Sequence, residues 1–455
     1  MWLVLCLFGL SPGLAAQQVV VDTLMFNGPA ANRINFVVLG DGFTAGQMPA
    51  FRAQAEKATA HLFNTSPFRE YRRYFNVFAL RTPSREPGAA GAPERPIDNY
   101  FGSTFGYGGI DRLLVPAQNH RITEVLAAYL PDCDQALMLV NSDRYGGSGG
   151  DVATASLHPA AVEILTHELG HSFADLADEY WAGPGYAAEK PNMTRQGSPQ
   201  HVKWKNWLND LGVGIYPHSG DRAWYRPHQV CKMQTLQEPF CPVCREAIVQ
   251  KIQYLTFPLD GYAPDAVQLP ADTVFFRVTP VTPEPNTLRL TWLVDDRPVA
   301  VDRAAVGVPY AALAGAGKVR CVVYDSTSFD RRTTLLLHAV TWEVAGHPAG
   351  TEKVLSGRDD LVRLSQSRER PLKLTFFPNP FTDRVQVGYS LFEATPVELE
   401  LYGAGGQLIR QTYLARQQPG AYEHTFELRD QAAGPYVLLV RTNAYTYRAK
   451  LVKIE

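Results

Sequence analysis

The sequence predicts an α/β (α+β) domain followed by two all-β sandwich modules. Three observations carry this expectation. Between Arg33 and Arg81 an apolar run, a helical stripe and a second apolar run follow one another, the order that builds a βαβ unit with a partly parallel sheet. From about Ala271 the helical spacing gives way to short alternating runs separated by turns rich in Pro, Gly and Asp, the pattern of antiparallel sandwiches. A polar segment from Gly346 to Arg370 then divides these runs from a second set that fills Pro371 to Glu455.

Taken in order, Arg33 to Leu39 is an apolar run that ends in Gly40-Asp41-Gly42, a buried strand leading into a turn. Met48 to Phe63 places Phe51, Ala55, Ala58 and Leu62 on one helical stripe. Tyr74 to Arg81 reads as a second strand, Pro83 to Pro96 as a loop, and Gln135 to Val140 as a third strand. His158 to Leu176 again has the helix period. The alternating runs beyond Ala271 include Val274 to Val278, Leu288 to Leu293 and Val319 to Tyr324.

At 455 residues the chain is long enough for several domains. Residues 1–16 are expected to be a signal peptide: the apolar run Leu3 to Leu10 is short and leads into Gly13, Ala15 and Ala16, too short to span a bilayer. The remaining boundaries fall at 17–265 for the α/β domain, 271–345 for an Ig-like β-sandwich, 346–370 for a linker and 371–455 for the last β module. A net charge of -2, with Lys and Arg scattered, excludes the usual electrostatic footprint of nucleic-acid binding. No transmembrane segment is expected, and the protein is expected to be a monomer.

The chemistry is concentrated in His167-Glu168-Leu169-Gly170-His171. Residues four apart share one helix face, so both imidazoles can reach one metal ion. Glu168 is offset by one position, which sets its carboxylate beside the metal as a general base for a zinc-activated water. The implied cofactor is one catalytic Zn2+, and the implied reaction is hydrolysis of peptide bonds in a protein or peptide substrate.

A catalytic zinc needs a third protein ligand and an open position. In the long form of this motif a Gly follows the second His by three residues, and the ligand follows that Gly by three; here those places hold Ala174 and Ala177. Asp178, seven residues past His171, is the first candidate, with Glu179, Asp175 and Glu189 as rivals.

The stretch Thr166 to Tyr180 resembles the IgA-peptidase-type metallopeptidases, or igalysins. Val38 to Thr44, Gly108 to Leu114, Cys231-Lys232-Met233 and Phe240 to Ala247 also resemble that family. The resemblance implies a metzincin-like fold, Asp178 as the third ligand, and Met233 as a Met-turn that floors the metal site. Phe376 to Phe381, Leu401 to Leu408 and Gly434 to Lys453 resemble the C-terminal sorting domain of type IX secretion. That second resemblance implies the type IX secretion machinery as a partner. It also implies passage through the periplasm to a secreted or cell-surface-attached state.

Cys231, Cys241 and Cys244 admit two readings. With His228 they form an array close to a structural zinc ribbon. In an oxidising compartment a disulfide, with Cys133 as a possible partner, is the simpler expectation. Two functions are carried forward: an active zinc endopeptidase, which the intact histidines and Glu168 favour, and a surface binding protein with a degenerate peptidase fold, which the departure at Ala174 and Ala177 keeps open.

Overall fold

A computed structural model describes residues 19–91, 96–264, 273–313, 318–331, 338–344, 364–369, 372–378, 381–391, 395–403, 407–418, 420–442 and 446–454. The expected signal peptide lies outside these residues, as does most of the expected linker.

The first domain is a mixed α/β structure. Its sheet uses β1 (Val20–Met25), β2 (Ile34–Asp41), β3 (Phe75–Arg81), β4 (Gln135–Val140), β5 (Gly147–Ser148) and β6 (Val152–Ala155), in the order β1-β3-β2-β4-β6-β5. Strand β2 runs parallel to both β3 and β4, with Val38 opposite Ala79 and Leu137. The parallel centre is covered on both sides, so β2 is buried at every position. Helix α1 (Met48–Leu62) buries Phe51, Ala55, Ala58 and Leu62 against one face. Full burial of a Phe or Leu side chain contributes about 1.5–3 kcal/mol. Helix α2 (Asn119–Tyr129) sets Ile122 and Val125 against the other face. The expected strands and helices at 33–39, 48–63, 74–81, 135–140 and 158–176 are thus present with boundaries moved by a few residues.

The Gly40-Asp41-Gly42 turn has a definite structural task. Buried Asp41 accepts hydrogen bonds from the backbone N–H groups of Gly42, Phe101 and Ser103 at 2.9–3.0 Å, tying the end of β2 to the loop beyond β3. Gly42 has φ +70°, and a Cβ there would stand 2.2 Å from the Gly88 carbonyl oxygen, so no other residue fits.

Beyond the α/β domain the chain is β-rich. Leu259–Ala263, Thr273–Pro280 and Ala305–Pro309 form one antiparallel sheet; Arg297–Val301, Leu288–Val294, Lys318–Asp325, His338–Val344 and Leu364–Glu369 form another. Their apolar residues share one core, in which Trp292 and Trp342 stack at 5.7 Å between ring centroids. Two expected boundaries shift. The strand Leu259–Ala263, assigned from sequence to the first domain, pairs with Thr273–Pro280. Leu364–Glu369, assigned to the linker, pairs with His338–Val344. Its polar sequence gave no apolar alternation to read, because an outer strand can be held by backbone hydrogen bonds alone.

This β module is joined to the α/β domain by polar contacts. Tyr71 donates to Asp325 at 2.5 Å, Tyr74 to the Val281 carbonyl, and Arg331 to Asp210. Buried Arg33 pairs with Asp260 at 2.6 Å. The last residues form a three-stranded sheet (Leu372–Phe377, Arg384–Leu391, Gly420–Glu427) and a four-stranded sheet (Leu408–Gln417, Thr395–Gly403, Gly434–Thr442, Thr446–Lys453). Val397, Leu399 and Leu401 alternate inward. Among the described residues, no helix is long and apolar enough to cross a membrane.

Candidate metal centre

Helix α3 (Ala161–Ala174) carries the His-Glu-x-x-His motif. Leu165, Leu169 and Phe173 bury its inner side in the main core, which fixes the opposite face for His167, Glu168 and His171. The helix stops at Asp175, whose φ of 55° is left-handed, a conformation that Asp tolerates better than most residues. The Leu176 N–H then bonds to the Gly170 carbonyl at 3.1 Å, and the chain doubles back toward the histidines.

That reversal delivers Asp178. Its Oδ1 lies 3.1 Å from His167 Nε2 and 3.3 Å from His171 Nε2. On the far side of each ring, His167 Nδ1 stands 2.9 Å from the Lys232 carbonyl and His171 Nδ1 stands 2.7 Å from the Leu176 carbonyl. A carbonyl only accepts, so each Nδ1 carries the hydrogen and each Nε2 presents a lone pair. Asp178 Oδ1 is buried and receives no hydrogen bond of good geometry, although both Nε2 atoms are close. Three electron-pair donors therefore converge, and a cation or a proton has to sit among them. Burial pushes His171 down, but the nearby Asp178 carboxylate outweighs it and lifts the imidazole to about 9, the response expected when a proton rather than a metal ion fills the gap between them. Burial would raise Asp178, yet the two adjacent histidines hold it below the usual carboxylate range. Burial raises Glu168, against the opposing charges of His167 and His171.

The rivals for the third position lie elsewhere. Asp175 is exposed and pairs with Lys190. Glu189 pairs with Lys203 at 2.6 Å. Glu179 turns away from the histidines and is buried beside the cysteines. The chain reverses at left-handed Asp175, one residue past Ala174, and Asp178 follows that turn by three residues.

Met233 is fully buried beneath α3. A Cβ on Gly170 would stand 2.7 Å from its sulfur, so the glycine inside the motif is the space that Met233 fills. Gly149 flanks the other side: a Cβ there would meet Glu168 Oε2 at 3.0 Å and His171 Cβ at 3.1 Å. A cleft of about 280 Å³ opens beside His171, Asp178, Tyr180 and Trp181. Tyr180 lies near Asp178 and Arg112, and burial together with the Asp178 charge pushes its phenol up to about 12. Arg112, Gly149 and Tyr180 were not singled out by sequence reasoning, although Arg112 and Tyr180 lie inside stretches that carry the family resemblance.

Among the described residues, Cys231, Cys241 and Cys244 carry unbridged thiols. Cys231 Sγ and Cys244 Sγ are 3.7 Å apart, against about 2.05 Å for a disulfide, so the expected disulfide is not formed. His228 is also absent from the group: its ring contacts Leu211 and Val230 instead. Cys133 packs in a separate cluster.

Residues 23–218 match the family IgA Peptidase M64 and residues 375–455 match the Secretion system C-terminal sorting domain, so the first domain is similar to M64 peptidases and the chain ends in a type IX sorting tail. The tail marks it for secretion or cell-surface attachment. No curated protein matches the chain. Among solved structures, dimeric latent PorU from Porphyromonas gingivalis is 12% identical with a TM-score of 0.17, over 43% of this chain and 20% of that one. A β-glucuronidase from Parabacteroides merdae is 10% identical with a TM-score of 0.14, over 51% and 28%. OgpA from Akkermansia muciniphila is 10% identical with a TM-score of 0.21, over 94% and 93%. The chain thus spans well under half of the first two, and at these TM-scores none bears on fold or function.

Proposed function

We propose that this protein is a secreted zinc-dependent endopeptidase with a metzincin-like catalytic domain, in which His167, His171 and Asp178 hold one zinc ion and Glu168 is the general base. The observation that carries the reading is the convergence on one point of His167 Nε2, His171 Nε2 and Asp178 Oδ1. The buried carboxylate oxygen receives no hydrogen bond, and both imidazole protons are committed to backbone carbonyls on the far side. Two neutral imidazoles and a carboxylate are a donor set suited to zinc.

When bound, zinc supplies a Lewis acid that makes water a competent nucleophile at neutral pH and polarises the scissile carbonyl. The chain's own groups do the rest. Glu168 accepts a proton from the attacking water and returns it to the leaving amine nitrogen. Tyr180, near both Asp178 and Arg112, supports the carboxylate's side of the site. Met233 supports the motif helix from below with an apolar, polarizable side chain. A protein or peptide enters along the cleft beside Tyr180 and Trp181. The two β-rich regions are read as sandwich modules, the first packed on the peptidase and the second serving export by the type IX machinery.

The test combines metal analysis with hydrolysis of a generic protein such as casein. Activity should vanish with a chelator and return with zinc. Activity that persists in metal-free protein would sink the proposal, and zinc binding without hydrolysis of any substrate in a broad peptide library would move the reading to a binding protein.

A further inference from the structure

We infer that Glu179, Cys231, Cys241 and Cys244 form a second metal site, structural and separate from the catalytic centre, that takes zinc in a three-sulfur, one-oxygen tetrahedron. All four residues are buried, and their ligand atoms lie within 4.8 Å of one another.

The distances suit a metal better than a bond between sulfurs. Tetrahedral zinc with Zn–S near 2.3 Å puts two sulfurs about 3.8 Å apart, and with Zn–O near 2.1 Å it puts sulfur and oxygen about 3.6 Å apart. Cys231 and Cys244 are separated by 3.7 Å. Glu179 Oε1 is 3.2 Å from Cys244 Sγ and 3.7 Å from Cys241 Sγ.

The surroundings are built for thiolates. Cys231 Sγ accepts hydrogen bonds from the backbone N–H groups of Met233 at 3.5 Å and Cys241 at 3.4 Å. Two N–H donors aimed at one sulfur stabilise its anion. Cys241 holds the N-cap position of helix α4 (Pro242–Leu255) and Cys244 lies in its first turn, where the helix dipole also favours negative charge. Asn192, itself fully buried, donates to Glu179 Oε1 at 3.1 Å and orients it. The other oxygen, Glu179 Oε2, is buried with no hydrogen-bond partner. A buried carboxylate beside three buried thiols, with its second oxygen bare, is costly. A divalent cation removes that cost and leaves a net charge of about -2, as in a four-cysteine zinc site.

The site would join three segments that the catalytic centre depends on. Glu179 follows Asp178 directly, Cys231 lies two residues before Met233, and the other two cysteines start α4. The Glu179 N–H bonds to the Met233 carbonyl at 2.7 Å, so the carboxylate loop and the methionine turn are already in register. These four residues are positioning residues for the peptidase, not catalytic ones.

The experiment uses the full chain purified without reductant. Wild type should hold two zinc ions, and the His167→Ala/His171→Ala variant one. The ion left in that variant should resist a chelator and leave when a mercurial blocks thiols. Cobalt substituted for it should show sulfur-to-metal charge-transfer absorption and strong tetrahedral d–d bands, a readout independent of activity. Glu179→Gln, which keeps all three sulfurs, should retain the metal at least about tenfold more weakly. If the catalytic reading alone is wrong, wild type will hold one ion with the same cobalt spectrum. Peptide mapping that finds a disulfide among the three cysteines would overturn the site. So would three alkylatable thiols in a double-histidine variant that binds neither zinc nor cobalt.

Discussion

Asp178 and Glu179 are neighbours in sequence but face opposite ways: Asp178 Oδ1 stands 3.1 Å from His167 Nε2, while Glu179 Oε1 stands 3.2 Å from Cys244 Sγ. One short loop therefore serves both the histidine pair and the cysteine group, and substitutions at the two positions should fail differently.

Asp178→Asn should weaken zinc binding beyond the ~10–100-fold that supporting residues command, and should leave the thermal stability of zinc-depleted protein nearly unchanged. Competition with a chromophoric chelator, together with a melt of the depleted protein, measures both. Equal zinc affinity in the variant would remove Asp178 from the metal.

Glu168→Gln keeps shape and removes the proton acceptor. Zinc content should match wild type, and kcat should fall by about two or more orders of magnitude. A zinc-loaded variant that retains its turnover would assign the base to another group.

Gly170→Ala should destabilise the domain. An alanine on an open helix surface gains about 1 kcal/mol over glycine, but here the new Cβ would meet the Met233 sulfur at 2.7 Å, and overpacking costs about 1–3 kcal/mol. Combining it with Met233→Ala should cost less than the sum of the two single changes, by about 0.5–3 kcal/mol. Denaturant unfolding of the four proteins checks the sign, and strict additivity would show that the two positions do not touch.

Truncation should separate chemistry from export. A chain ending after Glu369 should keep its zinc site and its melting temperature when made as soluble protein, yet remain in the periplasm of the native host. A chain ending after Val344 loses the outer strand Leu364–Glu369 and should melt at a lower temperature. Fractionation and calorimetry read the two outcomes. Normal surface delivery of the shorter chains would leave the last module without a sorting role.

How far the sequence reached depended on how local each feature is. His167, Glu168 and His171 were legible because helical spacing alone puts them on neighbouring faces. The strands at β2, β3 and β4 were legible because a sheet covered on both sides demands continuous apolar runs. Asp178 could only be ranked among rivals, since its placement depends on a left-handed turn at Asp175 that no glycine announces. The cysteine group was misread because its fourth member is Glu179, brought in from across the fold, while the nearby His228 points elsewhere. Leu364–Glu369 was missed because it has no apolar alternation.

The seam between the α/β domain and the first β module sets the smallest piece of this chain that can be inherited or expressed as a working unit. Tyr71 and Tyr74 are buried in the peptidase core, and each gives its hydroxyl hydrogen to an acceptor in the module, Asp325 and the Val281 carbonyl. A gene fragment that stopped near residue 264 would encode a domain with both phenols stranded and Arg331 lost from Asp210. Recombination that shuffles peptidases among secreted proteins should therefore carry the module along, with its crossover point beyond Glu369, where the export tail can be exchanged without disturbing the seam.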